Sequence, residues 1–112
     1  MSEVFLLEKQ LEDGKKSIEK RDLALKLYNN REFKQLILQD FCVEECARYA
    51  QMSADPALAA NERADALAIA QAAGHLRRFL SVVVQMGNNA ERQAPDIEQA
   101  IIEARQEEES AE

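Results

Sequence analysis

The sequence is poor in the residues that strands, triads and multi-histidine metal sites require. Its 112 residues include two Cys, three Gly, two Pro and one His, and neither Trp nor Thr occurs. Scarcity of β-branched and aromatic residues argues against a sheet. A single His leaves any Ser or Cys nucleophile with one possible base and no triad signature. Two-metal helical sites that draw Glu-x-x-His from two helices are excluded for the same reason. We expect no enzyme.

Helix-forming residues fill the composition instead. Apolar residues make up 46% and charged residues 31% of the chain, with Ala, Leu, Glu, Gln, Lys and Arg prominent. This length predicts one domain with a real core but without a deep cleft for a small-molecule substrate. We therefore expect an all-α fold, without a cofactor.

The charge is uneven along the chain. Residues 1–34 carry eight bases and seven acids, whereas residues 35–112 carry six bases and fourteen acids. Nucleic-acid binding depends on clustered Lys and Arg, so direct DNA binding is disfavoured. The longest uncharged run, Phe79 to Ala90, is too short to span a bilayer. The N-terminus lacks the bases of a signal peptide, which predicts a cytoplasmic protein.

The first predicted helix, residues 3–28, carries a heptad seam. Ser2 is its expected N-cap, and Gly14 and Arg21 occupy two slots of the seam that lack a large apolar side chain. Gly14 suggests a bend or a close contact with a partner backbone. The helix is longer than a small monomer needs, so we predict that its seam binds another helix, either in a second copy or in the same chain. The predicted interaction surface is Val4, Leu7, Leu11, Ile18, Leu25 and Tyr28.

Three more helices are predicted at residues 31–52, 60–86 and 95–104. Asn29 is expected to be left-handed, and Asn30 to cap the second helix, which should be the most buried. Gly87 is expected to end the third helix, and Pro95 to begin a short fourth one. The fold class is a small all-α bundle built on an antiparallel hairpin of helices two and three, in a single domain over 1–102. An acidic flexible tail, 103–112, should follow.

Both cysteines lie in one stretch, FCVEECARYA. Cys42 and Cys46 are four residues apart, so they share a helical face but do not form an easy disulfide. They could hold zinc with His75 and either Glu44 or Glu45, but the familiar spacing of zinc ligands differs. Buried core cysteines are the favoured interpretation, since free Cys is among the most buried side chains. A redox role is the third alternative, and no metal is expected.

Two other polar clusters have simple interpretations. His75, Arg77 and Arg78 could bind an anion, but no glycine-rich loop accompanies them. We expect the two arginines to pair with acids, and those acids are Glu44, Glu45 or Asp40. Carboxylate pairs such as Glu62 with Asp65 lack the histidines of a metallohydrolase.

Residues from about 30 to 92 resemble a group of small helical proteins encoded by tailed bacteriophages. The shared features are Asn30, Phe33 and Ile37 at the start of helix two, an acid-rich middle of that helix, Asp55-Pro56, and Phe79-Leu80 leading to Gln85-Met86-Gly87. The resemblance implies a viral origin, often among genes for virion assembly, and transfers no catalytic residue.

Pattern and resemblance together predict a non-enzymatic bacteriophage protein that self-associates or binds another phage structural protein. It would act in the host cytoplasm or within the virion, without nucleic acid or membrane. The alternative is an acidic early inhibitor of a host nuclease, polymerase or defence protein.

Overall fold

The computed structural model describes residues 2–111, and 92% of the chain is helical without a strand in the described part. The predicted all-α class is confirmed. The elements are α1 (Glu3–Tyr28), α2 (Arg31–Phe33), a π-helical segment (Lys34–Glu45), α3 (Cys46–Ser53) and α4 (Ala60–Ala111).

The first two helices begin at the N-caps that the sequence predicts. The Phe5 N–H donates to the Ser2 hydroxyl at 3.2 Å, and the Phe33 N–H donates to Oδ1 of Asn30 at 2.7 Å. Each cap satisfies an N–H that has no partner within its helix. The left-handed conformation expected at Asn29 is wrong, because no non-glycine residue in the described range has a positive φ. The chain leaves α1 through a tight turn in which the Asn30 N–H donates to the Leu27 carbonyl at 2.9 Å.

The helical stretch from residue 31 to 53 is not the most buried one, contrary to the prediction. Cys42 is its one buried residue, whereas Leu36 is 64% and Val43 45% exposed. The middle of this stretch is π-helical, and the Cys46 N–H donates to the Phe41 carbonyl five residues earlier. Side chains spaced for an ordinary α-helix do not stay on one face when the backbone winds more widely.

The break predicted between Gly87 and Pro95 is also wrong, and α4 runs without interruption from Ala60 to Ala111. Pro95 has no N–H, so the Glu91 carbonyl lacks its usual helical donor. An apolar face with alternating spacings of three and four offsets this loss by packing. Its members are Leu80, Val83, Gly87, Ala90, Ala94, Ile97, Ile101 and Ala104.

The expected flexible tail is helical as far as Ala111, and Glu112 lies outside the described residues. Ala104 within it is 5% exposed, and Arg105 pairs with Glu8 of α1. These contacts connect the tail to α1, which the acid-rich composition alone did not indicate.

The contacts divide the chain into two compact units. The terminal unit comprises Met1–Ala24 and Val83–Glu112, and the central unit comprises Leu25–Val82. Small side chains dominate both cores. The buried apolar residues are Ala24, Ile101 and Ala104 in the terminal unit, and Cys42, Ala66, Ala73 and Leu80 in the central unit.

Candidate interaction surfaces

The predicted seam of α1 lies against the second half of α4 within the terminal unit. Leu11, Gly14 and Ile18 line a cavity of about 260 Å³ together with Ala90 and Ile97 of α4. Leu11 and Ile18 are half-buried there. The same chain therefore covers the middle of the seam, as the intramolecular alternative requires.

The ends of the seam are less fully covered. Val4 and Leu7 are half-buried, whereas Leu25 is 41% exposed. Tyr28 lies in the central unit, with its ring edge-on to that of Phe33 at 6.4 Å between centroids. The predicted surface is thus divided between an internal packing face and a partly exposed end.

Gly87 marks a close approach of α1 and α4. A Cβ built on Gly87 would lie 2.2 Å from the Arg21 Cβ and 2.9 Å from both the Arg21 Cγ and the Ser17 backbone oxygen. No side chain fits there, because carbon atoms in contact are normally about 3.5–4.0 Å apart. Gly87 thus permits the contact between the two helices and does not end α4. At Gly14 a Cβ would lie 3.5 Å from the Ala90 Cβ, which is an ordinary contact.

Arg21 occupies one of the two seam positions that lack a large apolar side chain. It is 9% exposed and is the one buried charged residue of the described range. Its guanidinium donates to Oδ1 of Asn88 at 3.1 Å, to Asp22 at 3.1 Å, and to the Glu91 carboxylate. The hydrogen bond to Glu91 is the main cause that raises the pKa of Arg21, and burial opposes it. Buried charges need such partners.

The Arg21 cluster was not predicted from the sequence. An arginine at a seam position was a visible signal, but its partners are 67 and 70 residues away along the chain. The prediction that the third helix ends at Gly87 placed Asn88 and Glu91 outside any helix that could pair with α1.

The cysteine stretch does not assemble a metal site. Cys42 is 6% exposed, and Cys46 is half-buried with its thiol donating to the Ala70 carbonyl at 3.5 Å. His75 is exposed on α4. Across residues 2–111 no three His, Cys, Asp or Glu side chains come close enough to share an ion. Burial raises the pKa of the Cys42 thiol, and the charge of Arg77 opposes the shift, so Cys42 is a poor nucleophile at neutral pH.

Two of the three acids expected beside Arg77 and Arg78 bind other residues. Glu45 forms an ion pair with Arg48 at 2.7 Å, and Asp40 accepts from the Gln35 amide at 2.8 Å. Both arginines are exposed on α4. They remain available to a partner.

The first half of α4 carries two apolar faces. Ala66, Ala73 and Leu80 are buried at 2%, 1% and 6% exposure. A second face, which we call the outer stripe, repeats at spacings of four, four, three, four and three residues on another side of the helix. The outer stripe consists of Ala64, Ala68, Ala72, His75, Phe79 and Val82. All are exposed except Val82, which is half-buried, and Phe79 is 63% exposed.

By length and composition α4 could also cross a membrane, since an 18-residue stretch of it reaches a mean hydropathy of 1.2. Its most apolar part, residues 66–86, nevertheless contains Arg77 and Arg78. Each arginine would cost about 2.5–3.5 kcal/mol near the centre of a bilayer.

No protein-family model, no curated protein and no solved structure matches the chain.

Proposed function

We propose that the protein is a small non-enzymatic bacteriophage protein that acts through helix-mediated self-association or through binding to a virion assembly protein. The phage origin rests on the resemblance of residues 30–92. The mode of action rests on exposed apolar surface. Twelve large apolar side chains in residues 2–111 are 37–64% exposed.

The exposed apolar side chains support a binding role, because burying apolar surface is favourable by about 25 cal/mol per Å². Binding another helix would remove such surface from water.

A bundle built on an antiparallel hairpin is part of the proposal. One hydrogen bond supports it within the central unit, because the Cys46 thiol donates to the Ala70 carbonyl. Arg77 is also near enough to Cys42 for its charge to oppose the raised pKa of that thiol. The later position of the first segment thus lies near the earlier position of the second, which is the order that antiparallel helices produce.

Static light scattering on the purified protein tests self-association. We expect a mass above 12.7 kDa at tens of micromolar, the range of weak to moderate affinity. A mass that stays at the monomer value would contradict self-association and leave binding to an assembly protein. Proteomics of purified virions and empty heads tests that branch, and absence from both would contradict it.

The acidic inhibitor is a second candidate, and the end of α4 favours it. Glu107, Glu108 and Glu109 are exposed on an ordered helix that continues to Ala111. An ordered row of acids can engage a basic partner at a lower entropic cost than a disordered tail. Synthesis early in infection together with absence from virions would support this candidate over the assembly protein.

A further inference from the structure

We infer that the outer stripe of α4 is the self-association surface and that its occupant is the same stripe of a second copy, running antiparallel. This inference rests on the proposed function, because it names the surface through which self-association takes place. The stripe extends from Ala64 to Val82, about 27 Å at 1.5 Å per residue. No charged residue lies on it, although 31% of the chain is charged. Depletion of charge is typical of the centre of an interface.

The sizes of the side chains make the stripe complementary to itself. Its first half holds the small residues Ala64, Ala68 and Ala72, and its second half holds the larger His75, Phe79 and Val82. In an antiparallel pair, Phe79 of one copy faces Ala64 of the second, and His75 faces Ala68. The two-fold axis falls between residues 71 and 72, so Ala72 lies next to its own counterpart. Phe79 and His75 therefore each meet an alanine, and both copies use the same surface, as a closed dimer requires.

A parallel pair would lack this fit, because Phe79 would oppose Phe79 and the alanines would leave a gap. Antiparallel pairing with one two-fold axis also closes after two copies, and no exposed stripe is left to extend a fibre.

The charged residues nearest the stripe are Asp65 beside its first half and Arg78 beside its second half, whereas Glu62 and Arg77 lie towards the buried face. Antiparallel pairing places Asp65 of each copy level with Arg78 of the other. Parallel pairing would place each of these charges level with its own counterpart.

Two variants test the direction of pairing through a disulfide between identical positions. Ala72→Cys should cross-link to itself under mild oxidation, because the two copies meet at this residue. Ala64→Cys is the matched control, since it is also an exposed alanine of the stripe. Its counterpart would lie about 22 Å away along the helix, far beyond the Cα separation that a disulfide spans. Both variants retain Cys42 and Cys46, so the parent protein is the control for cross-linking through these two cysteines.

Cross-linking at Ala72 but not at Ala64 supports the antiparallel pair. Cross-linking at both positions would show a parallel pair and overturn the inference, and so would cross-linking at neither.

A second pair of variants tests the surface itself. Phe79→Gln should raise the dimer dissociation constant by about tenfold or more, the effect of losing a residue at the centre of an interface. Leu36→Gln is the matched control, because Leu36 is 64% exposed and Phe79 63%, and Leu36 lies outside the stripe. Sedimentation equilibrium gives both constants, and far-UV circular dichroism shows that the variants fold.

The outcomes separate this inference from the proposed function. If the parent protein associates and Phe79→Gln has no larger effect than Leu36→Gln, the outer stripe is the wrong surface while self-association stands. If the parent protein stays monomeric, both self-association and this inference fail. Flotation of the monomer with phosphatidylglycerol vesicles, lost in Phe79→Gln, would instead assign the stripe to a lipid surface.

Discussion

The substitution Gly87→Ala tests the close contact between α1 and α4. The added methyl group would lie 2.2 Å from the Arg21 Cβ, so the helices must separate by roughly 1.3–1.8 Å to restore normal contact. Rearrangement of a side chain cannot relieve the overlap, because a Cβ and the Ser17 backbone oxygen are among the atoms approached.

Two opposing effects set the size of the change in stability. Replacing a mid-helix glycine by alanine gains about 1 kcal/mol in helix propensity. Overpacking of a closely packed site costs about 1–3 kcal/mol. Gly74→Ala provides the propensity gain alone, because nothing lies within 4 Å of its added Cβ. We therefore expect Gly87→Ala to be less stable than Gly74→Ala by about 1–3 kcal/mol.

Thermal unfolding followed by circular dichroism measures the difference. At about 4 °C per kcal/mol for a chain of this length, Gly87→Ala should melt roughly 4–12 °C below Gly74→Ala. Gly14→Ala is a further control on the α1–α4 contact, and we expect it to melt above the parent protein. Equal melting temperatures for the Gly87 and Gly74 variants would refute the close contact.

Three further predictions concern α4, the buried thiol and the Arg21 cluster. Pro95→Ala should stabilise the protein by up to about 3 kcal/mol in urea unfolding, because it restores a missing helical N–H; a loss of stability would indicate a helix boundary at this position. Stability should fall as the pH rises above 9.0, the ordinary pKa of a thiol, because the unfolded Cys42 thiol ionises before the folded one does. Urea titrations across that range should show a smaller fall in Cys42→Ala, and an unchanged fall would contradict the assignment. Glu91→Gln removes the negative charge that pairs with Arg21. We expect it to lower the melting temperature by less than the difference expected between the Gly87 and Gly74 variants, because the Glu91 side chain is 63% exposed. A larger drop would show that the ion pair contributes more to stability than the packing at Gly87.

Local signals in the sequence were sufficient to predict the first helix and the starts of the next ones. α1 begins at Glu3 and ends at Tyr28, the bounds that the Ser2 cap and the heptad seam predicted. The Asn30 cap likewise predicted the start of the second helix, and the third predicted helix starts at residue 60, where α4 begins. Caps and turns depend on residues that are close together in the sequence, so a single sequence is sufficient to predict where these helices begin.

The course of α4 beyond Met86 could not be read from local signals. Gly87 and Pro95 resemble a helix end and a helix start, and their intrinsic preferences point to a break. The seam nevertheless continues through both with the same spacing, and α1 covers it. Burial along the seam outweighs the local preference, as tertiary packing often does. An apolar pattern that continues in phase through a glycine and a proline is the sequence signal of this uninterrupted helix.

The Arg21 cluster shows what single-sequence reasoning lacks. A charged residue in a seam indicates that a partner exists, but Asn88 and Glu91 can be identified only once the pairing of α1 with α4 is known. The predicted interaction surface depended on the same unknown. The seam was predicted to bind another helix in a second copy or in the same chain, and α4 of the same chain covers its middle.

The two apolar faces of α4 differ in how far the chain itself covers them. Ala66, Ala73 and Leu80 lie on the face that the central unit already buries, so this face stabilises the monomer. Phe79 remains 63% exposed, and at roughly 200 Å² for an aromatic side chain it leaves about 125 Å² in water. Burying that area would gain about 3 kcal/mol per copy, or about 6 kcal/mol for two copies, which lies within the estimated cost of association of about 4–15 kcal/mol. The remaining residues of the outer stripe would then supply the net affinity, so we expect a dimer that forms at micromolar concentrations and depends strongly on this one side chain.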